Sequence, residues 1–229
     1  MRKRTLVVLG IFVAFFAFQS CTSNPEKALL SRYFNAVTMN DNATMASMAL
    51  EPAQWEVTSW EVVSVSPEKT LPVALPDLNA KEIEAKKAQD AQIGPTMDAD
   101  AALTEAKDKL DLSRTAGAKA IAKKGVDEAQ TKYDAEYAKM KDYKKAYTDA
   151  KAAAAGEEQI TLFSLGLREL AGVRDLKGDV HSKEVVVRIK TKQGVTKDYR
   201  LPMRMYDVKN EAGQRLPSRW VIIRFEPIG

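Results

Sequence analysis

The chain begins with an apolar segment, which is considered below. After it, the first pattern along the sequence is a set of apolar residues at helical spacing. Asn24, Pro25 and Glu26 form a typical helix start, with an N-cap, a proline in the first turn and an acidic residue. The apolar positions after them share one helical face: Leu29, Leu30, Tyr33, Phe34 and Val37. A polar break at 40–42 precedes a second apolar set that predicts another short helix: Met45, Met48 and Leu50.

Alternation of apolar and polar residues predicts strands on both sides of a long central segment. One strand runs from Trp55 to Val65 and is closed by Ser66–Pro67. Near the C-terminus, alternation at 185–190 and 199–205 around Gln193–Gly194 predicts a β-hairpin, and Pro202 predicts an edge position or a bulge. Residues 220–225 predict a last buried strand.

The central segment, 78–171, is rich in Ala, Lys, Asp and Glu, a composition that favours helix. Large apolar residues recur there at intervals of seven: Leu103 and Leu110, then Val126, Tyr133, Met140 and Tyr147, with Ala129 and Tyr137 between them. This spacing predicts a coiled-coil-like helical hairpin. Its tip falls either at Gly125 or at Ser113–Gly117, and Gly94–Pro95 predicts a kink or break in the first arm.

These elements predict an α+β fold with an antiparallel sheet. The expected organisation is a signal peptide at 1–20, a discontinuous α+β domain at 21–77 and 172–229, and a helical hairpin insertion at 78–171. No aromatic residue lies between Glu61 and Lys132, so this middle stretch cannot be built around an aromatic core like the two ends of the chain. An apolar stripe at its end predicts docking onto the sheet: Ile160, Phe163, Leu167 and Leu170.

The leading segment has the layout of an export signal. Arg2, Lys3 and Arg4 precede an apolar run from Leu6 to Phe18, which is shorter than the ~20 residues of a membrane-spanning helix. The segment Phe18–Cys21 resembles a lipobox, the cleavage site of bacterial lipoproteins. The resemblance implies that Cys21 carries acyl chains (palmitate among them), which would hold the chain on a membrane. Cleavage after Ser23, giving a free secreted protein, and an uncut membrane anchor are the alternatives.

A second resemblance concerns the fold. The helix Ala28–Val37 with the break at Asn40–Ala43, together with Arg219–Val221 at a final strand, resembles NTF2-like domains. It implies a helix-plus-curved-sheet (NTF2-like or cystatin-like) domain with a pocket. The catalytic residues of that superfamily cannot be matched to positions of this chain.

Charge and candidate chemistry narrow the function further. The chain carries +4, but signal cleavage removes three cations and no acid and leaves +1, so the basic balance is no argument for nucleic-acid binding. One histidine, His181, and one cysteine cannot form a zinc site, and no phosphate-binding or nucleophile motif occurs in the sequence. We therefore expect no catalytic residue, no metal and no cofactor. Five aromatic residues are candidates for lining a ligand pocket, although core packing is the commoner role: Trp55, Trp60, Tyr199, Tyr206 and Trp220.

The sequence thus favours a non-enzymatic envelope lipoprotein whose helical arm, 79–171, contacts a partner protein or a second copy. Thr22–Ser23 lacks the aspartate that retains lipoproteins at the inner membrane of enteric bacteria, which favours the outer membrane. The alternatives are a small-ligand-binding or catalytic NTF2-like pocket and an efflux-type periplasmic adaptor. The adaptor is disfavoured because the strand before the insertion is too short.

Overall fold

The computed structural model describes residues 25–53, 55–210 and 212–228. The predicted signal peptide, Cys21 and Asn24, the residue predicted to cap the first helix, lie outside this range. The described residues form four α-helices and one antiparallel sheet, as the α+β prediction requires. The helices are α1 (Pro25–Thr38), α2 (Asn42–Met48), α3 (Leu75–Leu112) and α4 (Ala116–Leu165), with a 3-10 turn at Val173–Asp175. The strands are β1 (Val57–Val65), β2 (Lys69–Pro72), β3 (Lys177–Thr191), β4 (Thr196–Lys209), β5 (Val221–Ile222) and β6 (Glu226–Pro227).

The sheet follows the order β1-β3-β4-β5, with β2 also paired to β3 and β6 to β4. The β3–β4 turn lies at the predicted Gln193–Gly194, where Gly194 has φ +80° and donates its N–H to the carbonyl of Thr191. The edge position predicted for Pro202 is wrong, because β4 has neighbours on both sides. The predicted final strand is interrupted: the N–H of Ile223 bonds to the carbonyl of Pro202, which has no N–H to return.

The chain divides into two compact units. The first comprises the described parts of Met1–Glu68, Ser182–Arg204 and Trp220–Gly229. Its core joins α1 to the sheet through fully buried side chains that include Leu30, Tyr33, Phe34, Val187, Ile189 and Leu201. The two helices predicted at the start of this unit, α1 and α2, are confirmed. The predicted break between them contains Asn40, which has a left-handed backbone conformation and follows the end of α1.

The second unit comprises Lys69–His181 and Met205–Arg219. Its core contains Val73, Leu75, Leu165, Val173, Leu176, Val180, Tyr206 and Val208. Ile160 and Leu170 of the predicted docking stripe pack against this core, whereas Leu167 is exposed because α4 ends at Leu165 and Gly166 turns the chain away with φ +70°.

Two details of the helical prediction change. Gly125 lies inside α4, so the helices meet at Ser113–Thr115, within the other predicted tip. Of the kink or break predicted at Gly94–Pro95, the break does not occur, since α3 runs without interruption from Leu75 to Leu112. Ala91 and Pro95 are both exposed, so water can satisfy the carbonyl that Pro95 leaves without a donor.

Candidate functional site

The longest continuous surface of the second unit belongs to α3 and α4, which pack along each other in opposite directions and are called the helix pair below. At 1.5 Å per residue their 38 and 50 residues span about 57 Å and about 75 Å. Buried or half-buried positions of α3 alternate at intervals of three and four: Leu75, Leu78, Glu82, Ala85, Gln89, Gln92, Thr96, Ala99, Leu103, Ala106 and Leu110. Such a seam is typical of two helices that pack against each other along their length.

The facing seam of α4 has the same spacing, except for one step of seven residues between Met140 and Tyr147. Its buried or half-buried members are Ala122, Val126, Ala129, Tyr133, Glu136, Met140, Tyr147, Ala150, Ala154, Glu157, Thr161 and Ser164. The stripe expected from the sequence lies on this seam, except that Glu136 occupies the position expected for Tyr137. Alanine and polar side chains outnumber large apolar ones on both seams, so the helices gain little hydrophobic burial from each other.

A polar contact sets the register of the helix pair at its middle. The amide Nε2 of Gln92, which is buried, donates to the carboxylate of Glu136 at 2.6 Å. Thr96 Oγ1 lies 3.5 Å from the carbonyl of Glu136. Hydrogen bonds from Lys139 and Gln92 hold the pKa of the Glu136 carboxyl below its usual range. A slip of either helix would leave the Gln92 amide buried without a partner, which disfavours other registers.

An exposed apolar patch lies beside this contact. Ile93 and Tyr137 directly follow Gln92 and Glu136, and one step along each of two antiparallel helices turns both side chains toward the same flank of the helix pair. Met97 lies one turn beyond Ile93 on the same side and is 65% exposed, while Tyr137 is 42% exposed. We call Ile93, Met97 and Tyr137 the central patch.

The aromatic part of the central patch is ordered by its neighbours. The Tyr137 ring stacks on that of Tyr133 with centroids 5.6 Å apart and planes 11° apart. Lys141 Nζ lies 4.6 Å from the Tyr137 centroid. A ring held on one side by an aromatic neighbour and a cation loses little rotational freedom when a partner covers it, and this property suits a binding surface.

Charged side chains fix the end of the helix pair where α3 begins and α4 ends. The guanidinium of Arg174, in the 3-10 turn, donates to Glu82 of α3 at 2.6 Å and to Glu158 of α4 at 2.7 Å. The hydroxyl of Tyr206 donates to Glu157 at 2.6 Å. These contacts, together with Leu75 and Leu165 in the core, connect both helices to β4 and to the 3-10 turn.

The five candidate pocket aromatics are distributed between the two cores. Tyr206 is fully buried in the core of the second unit. In the first unit, Trp55 packs on Tyr199 with centroids 4.9 Å apart, Trp60 stacks on Phe34 at 4.8 Å, and Lys183 lies over the Trp220 ring.

Two of these aromatics line cavities. Trp55 lines an open cleft of about 500 Å³ whose other walls are mainly α1, α2 and the loop before β1: Val37, Asn40, Asn42, Met45, Ala46, Pro52, Ala53 and Glu56. Trp60 lines a separate groove beside the start of α1. The first cleft combines an indole, two amides and a carboxylate, groups that can orient a small polar ligand.

Among the residues that the structure describes, no group of His, Cys, Asp and Glu side chains is placed to hold a metal ion. His181 lies in β3 with Nδ1 3.2 Å from Thr70 Oγ1. Within the described ranges, none of the helices combines the length and apolar character that crossing a bilayer requires.

Comparison with known proteins adds no homologue to this description. The chain matches no protein family model, no curated protein and no solved structure. The candidate site therefore stands on the geometry of the chain itself.

Sequence reasoning missed the residues that matter most at the helix pair. Ile93 and Met97 looked like isolated apolar residues next to Gly94–Pro95, and Gln92 carried no motif. A usable signal was present, since Ala85, Gln92, Ala99 and Ala106 are spaced by seven residues. Small and polar seam positions are hard to recognise because a search for large apolar residues passes over them.

Proposed function

We propose that the protein is a non-enzymatic lipoprotein of the bacterial cell envelope that binds a partner protein through its helix pair. In this proposal acyl chains on Cys21 anchor the chain to a membrane, with the periplasmic face of the outer membrane favoured. The helix pair acts as a coiled-coil-like arm, and the first unit is an NTF2-like head. The partner is another envelope protein or a second copy of this chain.

The observation that supports this proposal most directly is the central patch. Exposed aliphatic and aromatic side chains in the middle of a long helical surface leave apolar area in contact with water, and a partner that covers them would remove that area from water. The mixed charges along the rest of both helices keep that surface soluble and give no single-sign field for nucleic acid.

The deciding experiment is in-cell crosslinking of the membrane-anchored protein from a photoreactive residue at Met97. We expect a discrete crosslinked product that is reduced about tenfold or more by Ile93→Glu with Tyr137→Ser, since loss of apolar anchors at the centre of an interface costs at least ~1.4 kcal/mol. The matched control is Ile121→Glu, an exposed isoleucine at the far end of the helix pair, which should leave the yield within about twofold.

Equal yields from the patch variant and the control would overturn the binding role of the central patch. Light scattering of the purified protein separates the two kinds of partner, because a second copy would double the mass of the particle. Neither outcome depends on the anchor, which Cys21→Ser tests separately by releasing the protein from the membrane fraction.

A second function rests on the cleft beside Trp55. Its volume of about 500 Å³ lies within the range of small-molecule sites, and its lining alternates apolar groups with Asn40, Asn42 and Glu56. An NTF2-like head that binds a small polar ligand is therefore the alternative to the helical binding surface. A ligand screen read by Trp55 fluorescence tests it, with Trp55→Phe as the reference.

A further inference from the structure

The position of the lipid anchor is restricted by the length of chain between Cys21 and the first helix. Cys21 lies four residues before Pro25, where α1 begins. A fully extended chain covers at most ~3.6 Å per residue, so the anchored cysteine lies within about 14 Å of Pro25. Any surface near the start of α1 is consequently held close to the membrane.

The start of α1 is itself fixed to the sheet of the first unit. Glu26 is buried, and its carboxylate lies 3.4 Å from Lys183 Nζ, which also lies 3.2 Å from Glu68. Lys183 Nζ is 5.1 Å from the centroid of the Trp220 ring. Because Lys183 belongs to β3, this cluster prevents α1 from turning away from the sheet.

An open apolar groove of about 410 Å³ lies at the same place. We call it the anchor groove; it is lined by Glu26, Lys27, Trp60, Glu61, Val62 and Val65. Val65, which lines the groove, is 40% exposed, and the nearby Val63 is 45% exposed, at a shift in the pairing of β1 with β3 between Val62 and Ser64. Strand β1 lies at the edge of the described sheet, so no described strand pairs with its outer side.

The negative charges at the anchor groove are compensated within the protein. Glu26 is paired with Lys183, and the carboxylate of Glu61 lies 3.2 Å from the guanidinium of Arg188. The groove therefore does not carry uncompensated negative charge toward an anionic lipid surface. One face of the Trp60 ring is stacked on Phe34, and the half-buried indole still lines the groove.

We propose that the anchor groove and the neighbouring exposed valines of β1 rest on the lipid bilayer, with Trp60 at the level of the headgroups. The proposal rests on the acylation of Cys21. Exposed valines beside a membrane gain burial, and tryptophan is enriched at the interface because its ring is apolar and its N–H is polar. The contact would add a second signal to the acyl chains and would orient the first unit on the membrane.

The test uses the full lipidated protein in vesicles of phosphatidylethanolamine and phosphatidylglycerol with brominated acyl chains. We expect tryptophan emission to be quenched in the unmodified chain, and the quenched component to be lost in Trp60→Phe. Val63→Glu with Val65→Glu should lower the quenching at least about twofold, because burying a carboxylate in lipid is costly. The matched control is Val195→Glu, an exposed valine in the β3–β4 turn, which should quench as the unmodified chain does.

Equal quenching of the unmodified chain and Trp60→Phe, with both in the vesicle fraction, would overturn the proposal while leaving the anchor intact. Quenching that is unchanged by the valine pair would also overturn it, and this variant covers the case in which Trp60→Phe fails to fold. If Trp60 is shielded from water in detergent as well, and this shielding increases with protein concentration, the groove would be assigned to a second copy of the chain instead. Absence of the lipidated protein from the vesicle fraction would instead refute the anchor of the proposed function.

Discussion

Among the glycines that the structure describes, Gly178 is the one whose replacement is restricted most strongly. Its φ is +147°, and a Cβ built on it would lie 2.0 Å from the carbonyl oxygen of Asp207 and 2.9 Å from Val208 Cα. Both obstacles are backbone atoms of β4, so they cannot turn aside as a flexible side chain can. Close approach of two strands at this point therefore requires glycine.

We predict that Gly178→Ala lowers the free energy of unfolding by about 3 kcal/mol or more, since it adds overpacking to backbone strain. Gly194→Ala is the control, because Gly194 also has a positive φ (+80°) but has open space around it. We expect a loss of about 1 kcal/mol there, from strain alone. Urea unfolding measures both, and equal losses would show that the approach of β3 to β4 is not as close as described.

Tyr33 gives the first unit a dependence on alkaline pH. Burial raises the pKa of its phenol to about 12, although the N–H of Ala53 donates to the phenol oxygen and acts in the opposite direction. The unfolded chain ionises this group near pH 10, before the folded chain does. Stability is therefore complete below pH ~10 and falls as the pH rises toward 12.

We predict that Tyr33→Phe removes this part of the alkaline loss and one late-titrating phenol from the ultraviolet absorbance titration. At neutral pH the same variant should be less stable by about 1–3 kcal/mol, because the buried Ala53 N–H loses its acceptor. An unchanged absorbance titration above pH ~11 would contradict the burial of Tyr33.

The sequence predicted the aromatic core of the first unit, but it did not predict positions such as Gly178 where the fold requires one particular residue. The spacing of Tyr33 and Phe34 on one helical face was sufficient to place them inside. Gly178, by contrast, resembles any other glycine in the sequence, because its requirement comes from a strand that lies nearly thirty residues further along the chain.

At the scale of elements, a substitution at Gly125 tests whether α4 is continuous or whether the chain turns at this residue. In α4 its added Cβ would meet no atom within 4 Å. We predict that Gly125→Ala raises the free energy of unfolding by about 1 kcal/mol, as in other helix interiors, and that Gly156→Ala in the same helix does likewise. A loss of stability at Gly125 alone, measured by thermal unfolding, would place a turn at that residue.

Local rules were reliable for short elements and less so for long ones. The N-terminal proline and the apolar face predicted α1, and alternation predicted β1 and the β3–β4 pair. Proline at 95 was expected to kink or break α3, yet the helix continues, because the carbonyl of Ala91 is open to water and α4 packs along the helix. A rule that counts only the local cost cannot include that packing.

At the scale of the molecule, the seams of α3 and α4 have the same spacing. Segments of equal length that lie opposite each other can therefore be removed from both helices without changing their register. Gln92 faces Glu136, so Thr104–Leu110 of α3 lies opposite Ala118–Lys124 of α4. Removing both seven-residue segments keeps every remaining seam residue in register and shortens the helix pair by about 10 Å. The central patch and the contacts of Arg174 remain.

We predict that this deletion variant folds, as judged by circular dichroism, and still forms the crosslink from Met97 in about the same yield. Loss of the crosslink in the folded variant would move the binding surface to the far end of the helix pair. Removal of a six-residue segment from α4 alone is the control, since it breaks the register and leaves the Gln92 amide without Glu136.

The sequence by itself determined the elements whose cause is local or periodic. These are the α+β class, the amphipathic α1, the alternating strands and the two long helices, whose connecting turn the sequence left open between Gly125 and Ser113–Gly117. The tertiary structure decided what depends on residues distant in the chain: the glycine required at 178, the raised pKa of Tyr33, the seam contact of Gln92 with Glu136 and the position of the central patch. Periodicity shows which side of an element is apolar, but only the packed neighbours determine whether that side is covered.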